Sequence, residues 1–271
     1  MEKRTNVVDN SKRGRIILAA AITILGVLFI KLFSKELTVN PLDAFLRGLG
    51  YSVLVYLLLV WALKFQVTLY SLLFIIPQSV LFFLTQYYFL EFFFFRRIGR
   101  LYEILILMVI LVFMFVGTYI SFLMANVFNV ATIKEIPLIQ AGRTASYVLS
   151  IVSSYFITYA LMDSGINIFV YLPILLISYF LIVLFHLRHS DVEHDRIGVL
   201  SIFITTSMFI GIFSTIFLHS QHIVASLIPS AILYIEVGIL MNKTRNLLSK
   251  MDLMIYTITI LTVFVLNFIV S

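Results

Sequence analysis

The sequence predicts an all-α, polytopic membrane bundle of about nine helices with its N-terminus in the cytoplasm. Three observations predict it. The 271 residues are 62% hydrophobic and only 12% charged, half the charge of an average soluble domain, and the mean hydropathy is +1.09. The apolar residues gather into runs long enough to cross roughly 30 Å of hydrocarbon at about 1.5 Å per helical residue. The polar pieces between them, residues 1–14, 34–43, 131–143, 188–198 and 242–250, each fall below the roughly 40 residues at which a chain struggles to build a core. Soluble kinase, nuclease or ATPase domains are excluded by size. The chain divides into a disordered cytosolic lead-in, 1–14, and one transmembrane domain, 15–271.

Charge and cysteine content narrow the class further. The net charge of +6 is spread in short clusters between apolar spans, which suits an anionic inner leaflet and not nucleic acid. With no cysteine, disulfides, thiolate catalysis and cysteine metal sites are excluded.

The first span, 16–33, follows the basic lead-in and has no small-residue cleavage site at its far end, so it reads as an uncleaved helix. Ala19, Thr23 and Gly26 share a face that admits a neighbouring backbone, and Lys31 and Lys35 mark the far interface. The second span opens at Asn40-Pro41, a capping residue before a first-turn proline, and runs to about Phe65, with Arg47 two turns in and able to snorkel outward. Residues 66–95 are longer than one crossing needs and are interrupted by Pro77, Gln78 and Ser79. They read as one kinked helix, or as a re-entrant pair, ending in an aromatic belt capped by Arg96, Arg97 and Arg100.

The fourth span is 103–126. Pro137 and Gly142 break helix in the stretch that follows, and Lys134, Glu135 and Arg143 return it to water. A fifth span, 147–162, carries Ser146, Ser150, Ser154 and Thr158 at four-residue spacing along one face. Asp163-Ser164-Gly165 turns into a sixth span, 166–187, holding Pro173. The seventh is 197–218, the eighth 223–241 and the ninth 254–270. With the N-terminus inside, the inner loops collect 13 of the 19 basic residues, the bias expected of cytoplasmic loops. A re-entrant 66–95 would lose that bias, which favours nine full crossings.

Candidate chemistry centres on the eighth span. Glu236 lies within the hydrocarbon, where a charged carboxylate costs on the order of 3 kcal/mol. It shares a helix face with Pro229 and His222, and Pro229 frees a carbonyl in the preceding turn, so the three form a candidate proton or ion site. The alternative is a structural bridge from Glu236 to Lys243 or Arg245. Pro77 with Gln78 marks a helix break in the third span. Pro77 and Pro229 lie in oppositely directed spans, as broken helices do in inverted-repeat transporters, but no sequence echo links the two halves.

His186, His189, Asp191, Glu193, His194 and Asp195 crowd one loop, as do His219 and His222. Their spacing matches no closed metal motif, and they read as solvated loops. No metal site and no cofactor is predicted. The serine stripe reads first as a packing face. Walker loops, serine elbows, HExxH signatures and paired intramembrane aspartates are absent, which makes an intramembrane enzyme the weaker class.

The passage 126–146, with Phe128-Asn129-Val130, Ile136-Pro137-Leu138 and Ala141-Gly142-Arg143-Thr144 leading into the serine-rich helix, resembles part of an uncharacterised family of multi-spanning bacterial membrane proteins. That resemblance implies a bacterial inner-membrane location and nothing catalytic. The expected partners are the lipid bilayer and either a small solute or a membrane-protein partner, with no nucleic acid. The expected function is a small-solute or ion permease with a protonatable site at Glu236. The alternative is a non-transporting scaffold or partner-binding subunit.

Overall fold

A computed structural model describes residues 10–33, 40–94, 101–132, 138–217 and 221–270 of the chain. Among these residues the protein is all helix, with no strand, and nine helices are long and apolar enough to span a membrane. The expectations placed on the lead-in before Asn10, the side chain of Lys31, and Lys35, Arg96, Arg97, Arg100, Lys134, Glu135, Pro137 and His219 lie outside the described residues.

The helices are α1 (Asn10–Phe33), α2 (Pro41–Ala62), α3 (Ile76–Phe89), α4 (Leu101–Ala131), α5 (Ile139–Asp163), α6 (Ile168–Arg188), α7 (Ile197–Phe217), the short α8 (His222–Ala225), α9 (Leu227–Thr244) and α10 (Lys250–Val270). Two π-helical turns, Ser71–Ile75 and Leu90–Phe94, extend α3 at its ends. Residues 71–94 therefore form one continuous crossing and not a re-entrant pair.

Contacts between helix ends fix an alternating path. At one end, Arg15 of α1 lies over the Trp61 ring at 5.4 Å, Asn129 of α4 donates to the Gln66 carbonyl at 2.8 Å, and Tyr70 donates to the Arg188 carbonyl at 2.8 Å. At the other end, Arg47 of α2 meets Glu91 at 3.6 Å, and Asp163 of α5 meets His222 at 3.5 Å. This alternation is what nine full crossings require.

Local chemistry explains most of the boundaries. The Asn40 side chain accepts from the Leu42 amide at 3.2 Å and Pro41 begins the helix, as the sequence predicts. α2 stops at Ala62, earlier than expected, because Lys64 and Phe65 take left-handed φ of 60° and 56°. Gly165 adopts φ 73° in the turn between α5 and α6, a conformation glycine reaches at no steric cost. Asn167 then caps α6 through the Phe169 amide at 2.9 Å.

α3 and α5 are the central elements: 61% and 56% of their spanning residues are buried inside the protein, against 11% for α10. α5 packs on α3, α4, α6 and α9. Lipid chains are as apolar as leucine, so such contacts depend on close approach and hydrogen bonds. The first-span face works this way. Tyr51 of α2 donates to the Thr23 carbonyl at 2.8 Å, and a Cβ on Gly26 would sit 1.9 Å from its hydroxyl.

Arg47 differs from its expected outward snorkel. It turns toward Glu91, with Nε and Nη2 buried, because Gly48 admits the Tyr87 and Tyr88 rings beside it and closes that side of α2.

The alternating path predicts a labelling pattern that the cysteine-free chain makes easy to read. Single cysteines at Gly165 and Gln221 should react with an impermeant maleimide from one side of the membrane, and cysteines at Gln140 and Asn246 from the other. Labelling of Gly165 and Asn246 from the same side would contradict nine crossings.

Candidate functional site

The polar residues of the membrane interior gather where α3, α5 and α6 meet, and α5 is longer than its apolar pattern indicated. Helix begins at Ile139, so Gly142 and Arg143 are helical, a correction to the break expected there. Gly142 is buried against α4, where a Cβ would lie 3.1 Å from Val127 and 3.2 Å from Phe128. That fit draws the first turns of α5 onto the bundle.

Arg143 consequently leaves water for a paired position. Its Nη1 forms an ion pair with Asp191 and its Nε donates to the His189 carbonyl at 3.0 Å. Arg245 reaches Asp191 from the end of α9 at 3.1 Å and also donates to Gln140 at 3.1 Å. One carboxylate thus ties α5, the α6–α7 connection and α9 together. His189 stacks on Phe128 with centroids 4.4 Å apart, and the Tyr70 hydroxyl lies 3.4 Å from its Nδ1.

The loop read from sequence as solvated is therefore split. His186 and His189 are buried at 1% and 7% exposure, Asp191 is shared by two arginines, and Glu193 pairs with Arg196 on the surface at 2.8 Å. Among the described residues no group of three or more histidine or acidic side chains could hold a metal.

One turn deeper lies the core of the site. Ser71 starts the π turn, its amide capped by the Thr68 hydroxyl at 3.1 Å. The Ile76 amide bonds back to the Ser71 carbonyl across the wide turn. Pro77 has no amide hydrogen to place, and the wide turn accommodates it. Gln78, the next residue, is buried and its Nε2 donates to Ser146 Oγ at 2.6 Å. Ser146 Oγ is 2.9 Å from His186 Nδ1.

The serine oxygen accepts from the amide and shares a hydrogen bond with the imidazole at Nδ1, so Ser146 bridges Gln78 to His186. Two polar atoms at this site have no partner within the protein: Gln78 Oε1 and His186 Nε2. Each such buried orphan costs about 1–3 kcal/mol. A cavity of about 10 Å³ lies beside Gln78, lined also by Ser150 and Ser153, the size that holds one water molecule.

Farther along the stripe, Ser154 and Thr158 are committed to contacts within the chain. Ser154 meets Ser230 at 2.9 Å and Thr158 meets the Tyr179 hydroxyl at 2.6 Å. Tyr147 lies over His186 with centroids 5.7 Å apart and donates to the Tyr234 carbonyl of α9.

The three residues singled out in the eighth span are not brought together. His222 sits in α8 beside Asp163 at the opposite end from Arg245, about 21 Å along the helix from Glu236 at 1.5 Å per residue. Pro229 falls in the first turn of α9, after a break at Ser226. The Val224 carbonyl at that break accepts from Asn267 of α10 at 3.0 Å. Glu236 is half-buried against α7, where Ser207 is the facing hydroxyl, and its Oε2 is buried without a partner. Arg245 is engaged by Asp191 and Gln140, and no ion pair joins Glu236 to Lys243 or Arg245 among the described residues.

Gln78 is thus the sequence-flagged residue that the fold builds into a polar site, while His186, Ser146 and Arg143 are partners that sequence reasoning placed elsewhere. A signal for His186 was present: Leu175, Tyr179, Ile182, His186 and His189 recur at spacings of four and three, and all five are buried.

No family model matches the chain, and no curated protein or solved structure does. Its chemistry is therefore read from this geometry.

Burial pushes the His189 imidazole down to about 4, with the nearby Arg143 charge acting in the same direction and the Phe74 carbonyl opposing. A depressed folded-state value stabilises the fold above the unfolded value near 6.5, and that contribution is lost as pH falls toward 4. Melting in detergent should drop across this window by an amount on the order of 3 kcal/mol. His189→Gln should flatten the drop, and an unchanged acid limb would contradict the assignment.

Proposed function

We propose that this multi-pass helical protein is a permease for a small, uncharged polar solute, with recognition at Gln78, Ser146 and His186. The paired orphans carry the reading. Gln78 Oε1 and His186 Nε2, left unpartnered one turn inside a membrane bundle, match a solute that hydrogen-bonds to both, since buried polar groups without partners mark functional positions. The π turn before Pro77 supports it, because such turns and broken helices recur where membrane proteins bind solutes. The lining holds no fixed charge, so an ion would enter without a counter-charge at high cost.

In this reading Glu236 is a separate protonatable group that links transport to pH through α7 and α9. The Arg143–Asp191–Arg245 cluster closes one end of the path. That end, which also carries Arg188 and Arg196, faces the cytosol of a bacterial inner membrane, in keeping with the basic bias of cytoplasmic loops. The scaffold alternative gains less support. The small-residue positions that would serve a partner at Gly26 and Ser154 are filled by side chains of the same protein.

The test is osmotic swelling of proteoliposomes, followed by light scattering, with glycerol, urea, acetamide and small polyols as permeants. At least one should enter faster than into empty vesicles. Gln78→Leu should slow that entry about tenfold, the loss expected for one hydrogen bond to a bound solute. Glu236→Gln should preserve entry at neutral pH and remove its pH dependence. Folded, monodisperse protein that passes none of these solutes would favour the scaffold.

A further inference from the structure

A second cavity, which shares Phe82 and Leu149 with the small one beside Gln78, lies between α3, α4 and α5. It encloses about 450 Å³ and is walled by Phe82, Gln86, Phe113, Gly117, Leu149 and Phe156 among others, a size typical of small-molecule pockets. Its open side is flanked by Phe113 and Val116, exposed at 72% and 45%, in the middle of a helix that spans the membrane. A ligand would enter it from lipid and not from water.

The lining defines the ligand by elimination. It contains no ionisable side chain, so the bound part is uncharged. Phenylalanine rings flank it, which suits a flat ring packed in offset or edge contact. Gln86 supplies the polar group. It is buried at 6% exposure, and the Thr118 hydroxyl donates to its Oε1 at 3.2 Å, which fixes the amide and leaves Nε2 as the donor facing Gly117. A Cβ on Gly117 would lie 2.5 Å from that nitrogen and 3.3 Å from the Phe82 ring, so glycine is what keeps the donor accessible.

We propose that this groove binds an isoprenoid quinone: its ring lies among the phenylalanines, one ring carbonyl accepts from Gln86 Nε2, and the tail runs out into lipid past Phe113. Depth decides against a phospholipid. Gln86 is about four residues, or roughly 6 Å at 1.5 Å per residue, from the middle of its span. An ester carbonyl reaching it would drag a charged headgroup into hydrocarbon, whereas a quinone ring is neutral and carries its carbonyls at any depth.

The test uses full-length protein carrying Trp61→Phe and Val116→Trp, which puts a single indole at the lipid-exposed mouth, where folding tolerates it. Titration with a short-chain menaquinone should give saturable quenching of that indole. Gln86→Leu, similar in size, should raise the half-saturation concentration about tenfold, and Gly117→Val should abolish the saturable component while thermal melting shows that the fold persists. Linear, non-saturating quenching that Gln86→Leu leaves unchanged would overturn the proposal. So would native mass spectrometry that finds phospholipid and no added quinone retained by the protein.

Discussion

Hydrocarbon offers no water to a polar atom, and the arrangement of this protein follows from how α5 meets that constraint. Its serines and threonine are small enough to let α3, α6 and α9 approach and polar enough to bond what those helices bring. Bulkier apolar residues at Ser146 or Ser154 would separate the helices and strand Gln78, His186 and Ser230. One face thus does two jobs: it holds the bundle together where no hydrophobic force acts between helices, and it assembles the polar centre.

The same logic organises both ends. At the arginine-rich end a single carboxylate is shared by two guanidiniums from helices far apart in sequence. Sharing lowers the ordering cost per contact, since Asp191 is held once and used twice. At the other end Arg47 meets Glu91 and Asp163 meets His222. The Arg143–Asp191–Arg245 cluster lies one turn from the polar centre, whose Ser146 and His186 are buried.

Two features recorded as helix breaks turn out to differ in kind. Around Pro77 the chain widens into a π turn, and the neighbouring Gln78 is left with an unused acceptor. Around Pro229 the chain restarts as a new helix, and Asn267 takes the Val224 carbonyl at the break. The first disruption exposes polarity to the interior and the second is repaired by a neighbour. Proline marks both positions and cannot say which outcome follows, because the repair comes from α10, 38 residues further along the chain.

Hydropathy and length alone determined that this chain threads a bilayer about nine times, since apolar runs of that length have no other solvent, and the Asn40-Pro41 start is a local signal that the fold honours. The small residues at Ala19, Thr23 and Gly26 also announced a close contact correctly. Tertiary structure alone decided which polar residues act together. Arg143 and Gly142 looked like loop because a glycine and a charge end most helices, yet burial against Val127 and Phe128 and a partner 48 residues away made them helix. His186 and His189 looked solvated because they sit among acids, yet they close the buried face of α6. Whether a polar residue inside a membrane is paired, shared or orphaned depends on what the adjoining helices present to it, and that information is spread along the whole chain.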